Sequence, residues 1–150
     1  MKDVQKLNDA QDMVFADKAY FPEGDTTFCN LATRDVLTRL GYSNLIGMTA
    51  DEMYVYISNS KDWLIKPLSD AISLVNEGTV LVAILPAEKL GQSHGHVNTL
   101  TSGSPDFSGK WNCKTPLCMN IGRIGTCFRS KGVNWAFQIV PEIYALVSTL

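Results

Sequence analysis

The chain has 150 residues, 45% of them hydrophobic and 19% charged, with a net charge of −2. That length is about one domain with enough apolar material for its own core, so disordered and low-complexity classes are excluded. The mild acidity and the absence of a basic stripe leave nucleic acid without support as a partner.

The longest apolar run, Thr79–Pro86, has strand length and is too short to cross a bilayer, which takes about 20 residues. Met1 to Asp9 contains no apolar core of a secretory signal. The expectation is therefore a protein made in the cytoplasm without a signal peptide and without membrane insertion. No repeat, linker or charge block divides the chain, so one domain over residues 1–150 is expected. The order, helices first and strands later, predicts an α+β fold.

In chain order, Val4, Leu7, Ala10, Met13 and Val14 recur near helical spacing, predicting an amphipathic helix to about Ala16. Pro22-Glu23-Gly24-Asp25 reads as a loop, and Thr26-Thr27 as hydroxyls suited to capping a helix from Cys29 to Leu40 that Gly41 closes. Thr49 with Glu52 forms a capping box for a short helix to about Ile57. A further helix is expected from Pro67 to Asn76. Thr79–Leu85 is a buried strand, and His96–Thr101 alternates as the next one. Ser102–Gly109 reads as a separating stretch. Leu117–Ile121 and Trp135–Val140 are further strand candidates, and Pro141–Leu146 reads as a closing turn or strand.

Four cysteines, at 29, 113, 118 and 127, are too few to staple a chain of this size. A small loop disulfide between Cys113 and Cys118 is one arrangement open to them. Cys29 stands apart, at the first turn of its predicted helix. The partial positive charge and unpaired N–H groups there favour a thiolate, and the same N–H groups can hold an oxyanion. The plain alternative is a small buried hydrophobe. A thiol nucleophile needs a base, and the chain has two histidines, His94 and His96. If both lie in the strand they share a face with Asn98. His96 is better placed, because it opens the alternating segment. A metal on this His-x-His pair is not expected, since no Asp, Glu or Cys stands near it in sequence. Asn120, Asn98 and Asp106 are the polar groups available to orient the base.

Thr27-Phe28-Cys29-Asn30, Gly41-Tyr42, the strand Val80–Ile84, Gly95-His96-Val97 and Asn120-Ile121-Gly122 follow one another in an order that resembles the papain-like cell-wall amidases and peptidases, the NlpC-type and CHAP superfamily. The resemblance spans roughly Tyr20 to Val140. Cys29-Asn30 stands where the NlpC-type pattern commonly has Asp-Cys-Ser. The resemblance implies a papain-like α+β fold, with the nucleophile helix packed on a central antiparallel sheet. It implies Cys29 as nucleophile, His96 as base and Asn120 as third member, and it places Tyr20 near the oxyanion. Trp111, in the loop after the His96 strand, is expected beside substrate, as is Asn98. The implied activity is hydrolysis of an amide or peptide bond in the peptidoglycan stem peptide, with no cofactor, in the periplasm or cell wall. A phage endolysin and a secreted antibacterial effector both fit, and an effector would travel with an immunity protein. A cysteine peptidase or transferase acting on protein, or a non-catalytic groove-binding module, are the alternatives.

Overall fold

The computed structural model describes residues 2–150. Helix α1 runs Val4–Phe15, α2 Cys29–Arg39 and α3 Ala50–Asn59. Strand β1 (Trp63–Lys66), helix α4 (Leu68–Asn76), strand β2 (Leu81–Leu85) and the short α5 (Ala87–Leu90) follow. The last part is β3 (His96–Ser108), β4 (Cys113–Asn120), β5 (Phe128–Gly132) and β6 (Glu142–Leu146). The six strands form one antiparallel sheet in the order β1-β6-β2-β3-β4-β5. The fold is thus mixed α+β.

The sheet is covered on both faces, and β2 records this in its composition. Val82 and Ile84 pack with Leu37 of α2 and with Met53 and Ile57 of α3. Leu81, Ala83 and Leu85 pack on the opposite face with Ala71 and Val75 of α4. A strand buried on both sides has no polar side to display, hence the continuous apolar run. Helix α1 adds Ala10 and Val14 to a third cluster with Ala32 and Val36 of α2 and Met119 of β4. Gln11 of α1 is fully buried and donates to Thr99 Oγ1 (3.0 Å) and to the Leu100 carbonyl (2.8 Å), tying α1 to β3.

Several expectations change. Thr26 and Thr27 do not cap α2: its N-cap is Phe28, which makes no side-chain cap bond, while Thr26 pairs with Glu23 in an isolated bridge. The Thr49/Glu52 capping box is formed. Ser102–Ser108 continues β3 after an irregularity between Thr101 and Asp106. Trp135–Val140 is not a strand. Val133–Trp135 is a 3-10 turn, and Trp135, Ile139 and Val140 are exposed, so their strand propensity had no sheet face to satisfy. Cys113 and Cys118 are both free and lie on one strand, where an odd separation puts them on opposite faces, so no loop disulfide joins them. No helix among the described residues is long and apolar enough to cross a membrane.

Gly78 joins α4 to β2 at φ +96°, and a Cβ there would lie 2.8 Å from the backbone nitrogens of Asp3 and Val4. Gly78→Ala would combine left-handed strain with a clash against the start of α1. It is expected to destabilise the fold by about 1–3 kcal/mol, a loss that a thermal melt reads as several degrees.

Candidate active site

Cys29 is the first residue of α2, and its side chain is 5% exposed. No side chain caps that end, and the Asn30 N–H of the first turn meets the Cys29 thiol. His96 is the first residue of β3, so thiol and imidazole meet where the strand begins. Each shifts the other. Burial pushes the Cys29 thiol up, but the hydrogen bond and charge of His96 and the N–H groups of Val97 and Asn30 outweigh it, and the net pKa is lowered. Burial pushes His96 down, and its interactions with Cys29 and Asn120 outweigh that, leaving it raised. Both changes favour a thiolate–imidazolium pair.

The register explains the third group. Thr99 pairs with Met119 and Leu100 with Cys118, so one step back Asn98 faces Asn120, and His96 is its diagonal neighbour on the same face. Asn120 is 1% exposed and its bonds fix its amide orientation. Its Nδ2 donates to the Thr126 carbonyl at 2.6 Å, so its Oδ1 is turned toward β3. There Oδ1 accepts from Asn98 Nδ2 at 3.0 Å and from His96 Nε2 at 2.6 Å. An amide oxygen cannot donate, so Nε2 carries the proton and Nδ1 is the nitrogen left for Cys29. Phe137 packs on the imidazole, with ring centroids 5.0 Å apart.

The remaining sequence candidates fall elsewhere. Asn98 is 2% exposed and bonded to Asn120, which makes it a support for Asn120 and removes it from direct contact with a substrate. Tyr20 gives its hydroxyl to Asp35, and burial and that bond raise its pKa to about 12. Asp35 lies six residues past Cys29 in α2, roughly 9 Å along the helix at 1.5 Å per residue, so Tyr20 is not at the oxyanion position. Trp111 is half-buried at the β3–β4 turn, packed against the α4-side core. His94 is exposed in the loop before β3, so it does not share the strand face, but it lines the cleft that opens beside His96. Asp106 Oδ2 accepts from the Gly132 N–H at 2.8 Å and serves the sheet. Among the described residues no three metal-ligating side chains gather.

A cleft of about 320 Å³ opens beside His96 and Asn120. Asp25 and Thr27, just before Cys29, form one lip, and the segments carrying Arg123 and Trp135 contribute to its other walls. Trp135 is 65% exposed there, and Lys110 also lines the cleft. Of these, Lys110 and Arg123 have no signal in the sequence, since they stand on turns with no periodicity to mark them.

Gly122 follows the Asn120 strand, and a Cβ there would lie 2.6 Å from Thr126 Oγ1 and 3.2 Å from Asn120 Nδ2. Gly122→Ala is expected to displace the turn that holds the Asn120 amide. Turnover should fall about tenfold, as assays on the purified variant would show, because misplacing a supporting group by a fraction of an ångström weakens what it orients.

No protein-family model matches the sequence, and no curated protein matches it significantly.

Proposed function

We propose that this chain is a papain-like cysteine amidase that hydrolyses an amide bond of the peptidoglycan stem peptide. The observation that carries the reaction class is the meeting of Cys29, at the start of α2, with His96, at the start of β3, where Asn120 holds His96 Nε2. The sheet order and the position of α2 against it are compatible with a papain-like fold. The substrate class comes from the order and spacing of the Cys29, His96 and Asn120 segments, which resemble the cell-wall amidases.

The thiolate of Cys29 attacks the carbonyl carbon, and the developing oxyanion is stabilised by N–H groups at the start of α2. His96 gives its Nδ1 proton to the leaving amine as the C–N bond breaks, producing a thioester on Cys29. Water then enters, His96 takes a proton from it, and the hydroxyl displaces the thiolate to release the acid. Asn120 keeps the ring in the tautomer and orientation that both transfers need. No step draws on a cofactor.

The test is digestion of purified sacculi from Gram-negative and Gram-positive sources, with products read by mass spectrometry. Release of fragments whose masses locate one stem-peptide amide supports the proposal, and intact sacculi from both sources contradict it. One observation favours a second reading, a groove-binding module: Cys29 is nearly enclosed and does not itself line the cleft. That reading expects Cys29→Ala protein to bind sacculi as well as wild type, and wild type to cleave nothing.

A further inference from the structure

The ionic balance of the cleft differs from that of the chain. The whole protein carries −2, yet the cleft is lined by the cations Lys110 and Arg123 against a single carboxylate, Asp25. Both cations are attached to segments that hold the catalytic groups. Lys110 Nζ donates to the Phe137 carbonyl at 2.8 Å, and the Phe137 ring is the one packed on His96. Arg123 opens the turn whose far end, the Thr126 carbonyl, accepts the Asn120 amide, and its own carbonyl accepts from Thr126 N–H and Oγ1. Neither cation is paired with a carboxylate among the described residues. The Phe137 carbonyl satisfies one of the Lys110 ammonium's three donors and the Trp111 ring faces its charge at 5.2 Å, but no anion neutralises it, and the guanidinium fork of Arg123 is left for a planar anion. An amide substrate offers one such anion, a carboxylate.

We propose that Lys110 and Arg123 form a carboxylate-binding subsite beside the Cys29–His96 pair, so that the preferred substrate is a peptide with a free carboxylate close to the cleaved amide. The inference rests on the amidase reading and narrows it to the class of peptide taken. Arg123 supplies the two-pronged hydrogen bonding, and Lys110 supplies a charge held in place by its bond to Phe137. Conversion of that carboxylate to a carboxamide removes the charge and puts an NH₂ group against two donors.

The test uses synthetic stem peptides in which each free carboxylate in turn is replaced by its carboxamide. Wild type is expected to lose about tenfold in kcat/KM on at least one of these changes, the scale of a charge-assisted hydrogen bond at a partly wet site. Arg123→Ala and Lys110→Met are expected to lose a similar factor on the acid and to treat the carboxamide as wild type does, with Arg123→Lys recovering part of the loss. Binding of the same peptides to Cys29→Ala protein gives the same comparison without turnover. Equal handling of acid and carboxamide by wild type, in turnover and in binding, overturns the subsite, as do variants that lose both alike. Preferential binding of the acid with no cleavage of any peptide would leave the subsite standing and overturn the amidase reading.

Discussion

Cys29→Ala is expected to abolish peptidoglycan hydrolysis, with a loss of about 10⁴-fold or more, while the protein stays folded. Removing the nucleophile of a nucleophile–base pair leaves only binding and oxyanion stabilisation, and such deletions cost about 10⁴–10⁶ in turnover. The substitution itself is mild. Alanine is a helix former, and the space vacated is one sulfur in a cluster that includes Leu37, Met53 and Val97. Far-ultraviolet circular dichroism and a melt should therefore resemble wild type, and the muropeptide profile should be blank. Cys29→Ser is expected to be nearly as inactive. A serine hydroxyl keeps its proton where the Cys29 thiol loses it, so the pairing with His96 that lowers the thiol pKa has nothing to act on. Hydrolysis by either variant at more than about a tenth of the wild-type rate would remove Cys29 from the chemistry.

Asn120→Ala is expected to lower kcat/KM by about 10²-fold and to move the alkaline limb of the pH profile downward. The direction follows from the two shifts. The competent pair, thiolate with imidazolium, forms as pH rises through the lowered pKa of Cys29 and is lost as pH rises through the raised pKa of His96. The hydrogen bond that His96 Nε2 donates to Asn120 Oδ1 is one of the causes that raise His96. Without it the imidazolium gives up its proton at lower pH, and the active window narrows from its alkaline side. Loss of Asn120 also leaves Asn98 Nδ2 without its acceptor in a buried position, which adds a cost in stability. Asn120→Gln, which has the same groups on a longer stem, should recover little, because the Thr126 carbonyl and His96 fix the amide at both ends. An unmoved alkaline limb would mean that Asn120 is structural only.

The legible parts of this fold are those where burial imposes a pattern. β2 reads as an apolar run because both of its faces are covered. The start of β3 is legible through His96, Asn98 and Leu100 on one face and Val97 on the other. β1 and β5 were not found. β1 has four residues and an exposed middle, and β5, Phe128-Arg129-Ser130-Lys131-Gly132, is a polar strand at the sheet edge, so neither shows an alternation to read. Trp135–Val140 misleads in the opposite sense, being apolar in sequence yet partly exposed around the buried Phe137.

The site divides in the same way. Cys29, His96 and Asn120 each stand at an element end marked by a glycine or a change of pattern, and the order of the elements brings them together. Tyr20 depended on family likeness alone, and in this chain the neighbouring Asp35 captures its hydroxyl. The wall residues Lys110, Arg123, Trp135 and Phe137 converge through turns far apart in sequence, and that convergence is a property of the tertiary fold.

The most direct test of the account is the pH dependence of alkylation, cysteine by cysteine. The protein would be treated with iodoacetamide across a pH series, and each cysteine's modification read by peptide mass spectrometry, for wild type and His96→Ala. Cys118 is fully buried and burial pushes its thiol up, so it serves as the inert reference, with the half-buried Cys113 and Cys127 as the accessible comparison. The account predicts that Cys29 reacts at lower pH than Cys113 and Cys127, because His96 lowers its pKa, and that His96→Ala shifts its reaction to higher pH, because burial then acts without that counterweight. A Cys29 that stays unmodified while Cys113 and Cys127 react, or whose pH dependence is the same without His96, would contradict the claim that these two residues form an activated pair.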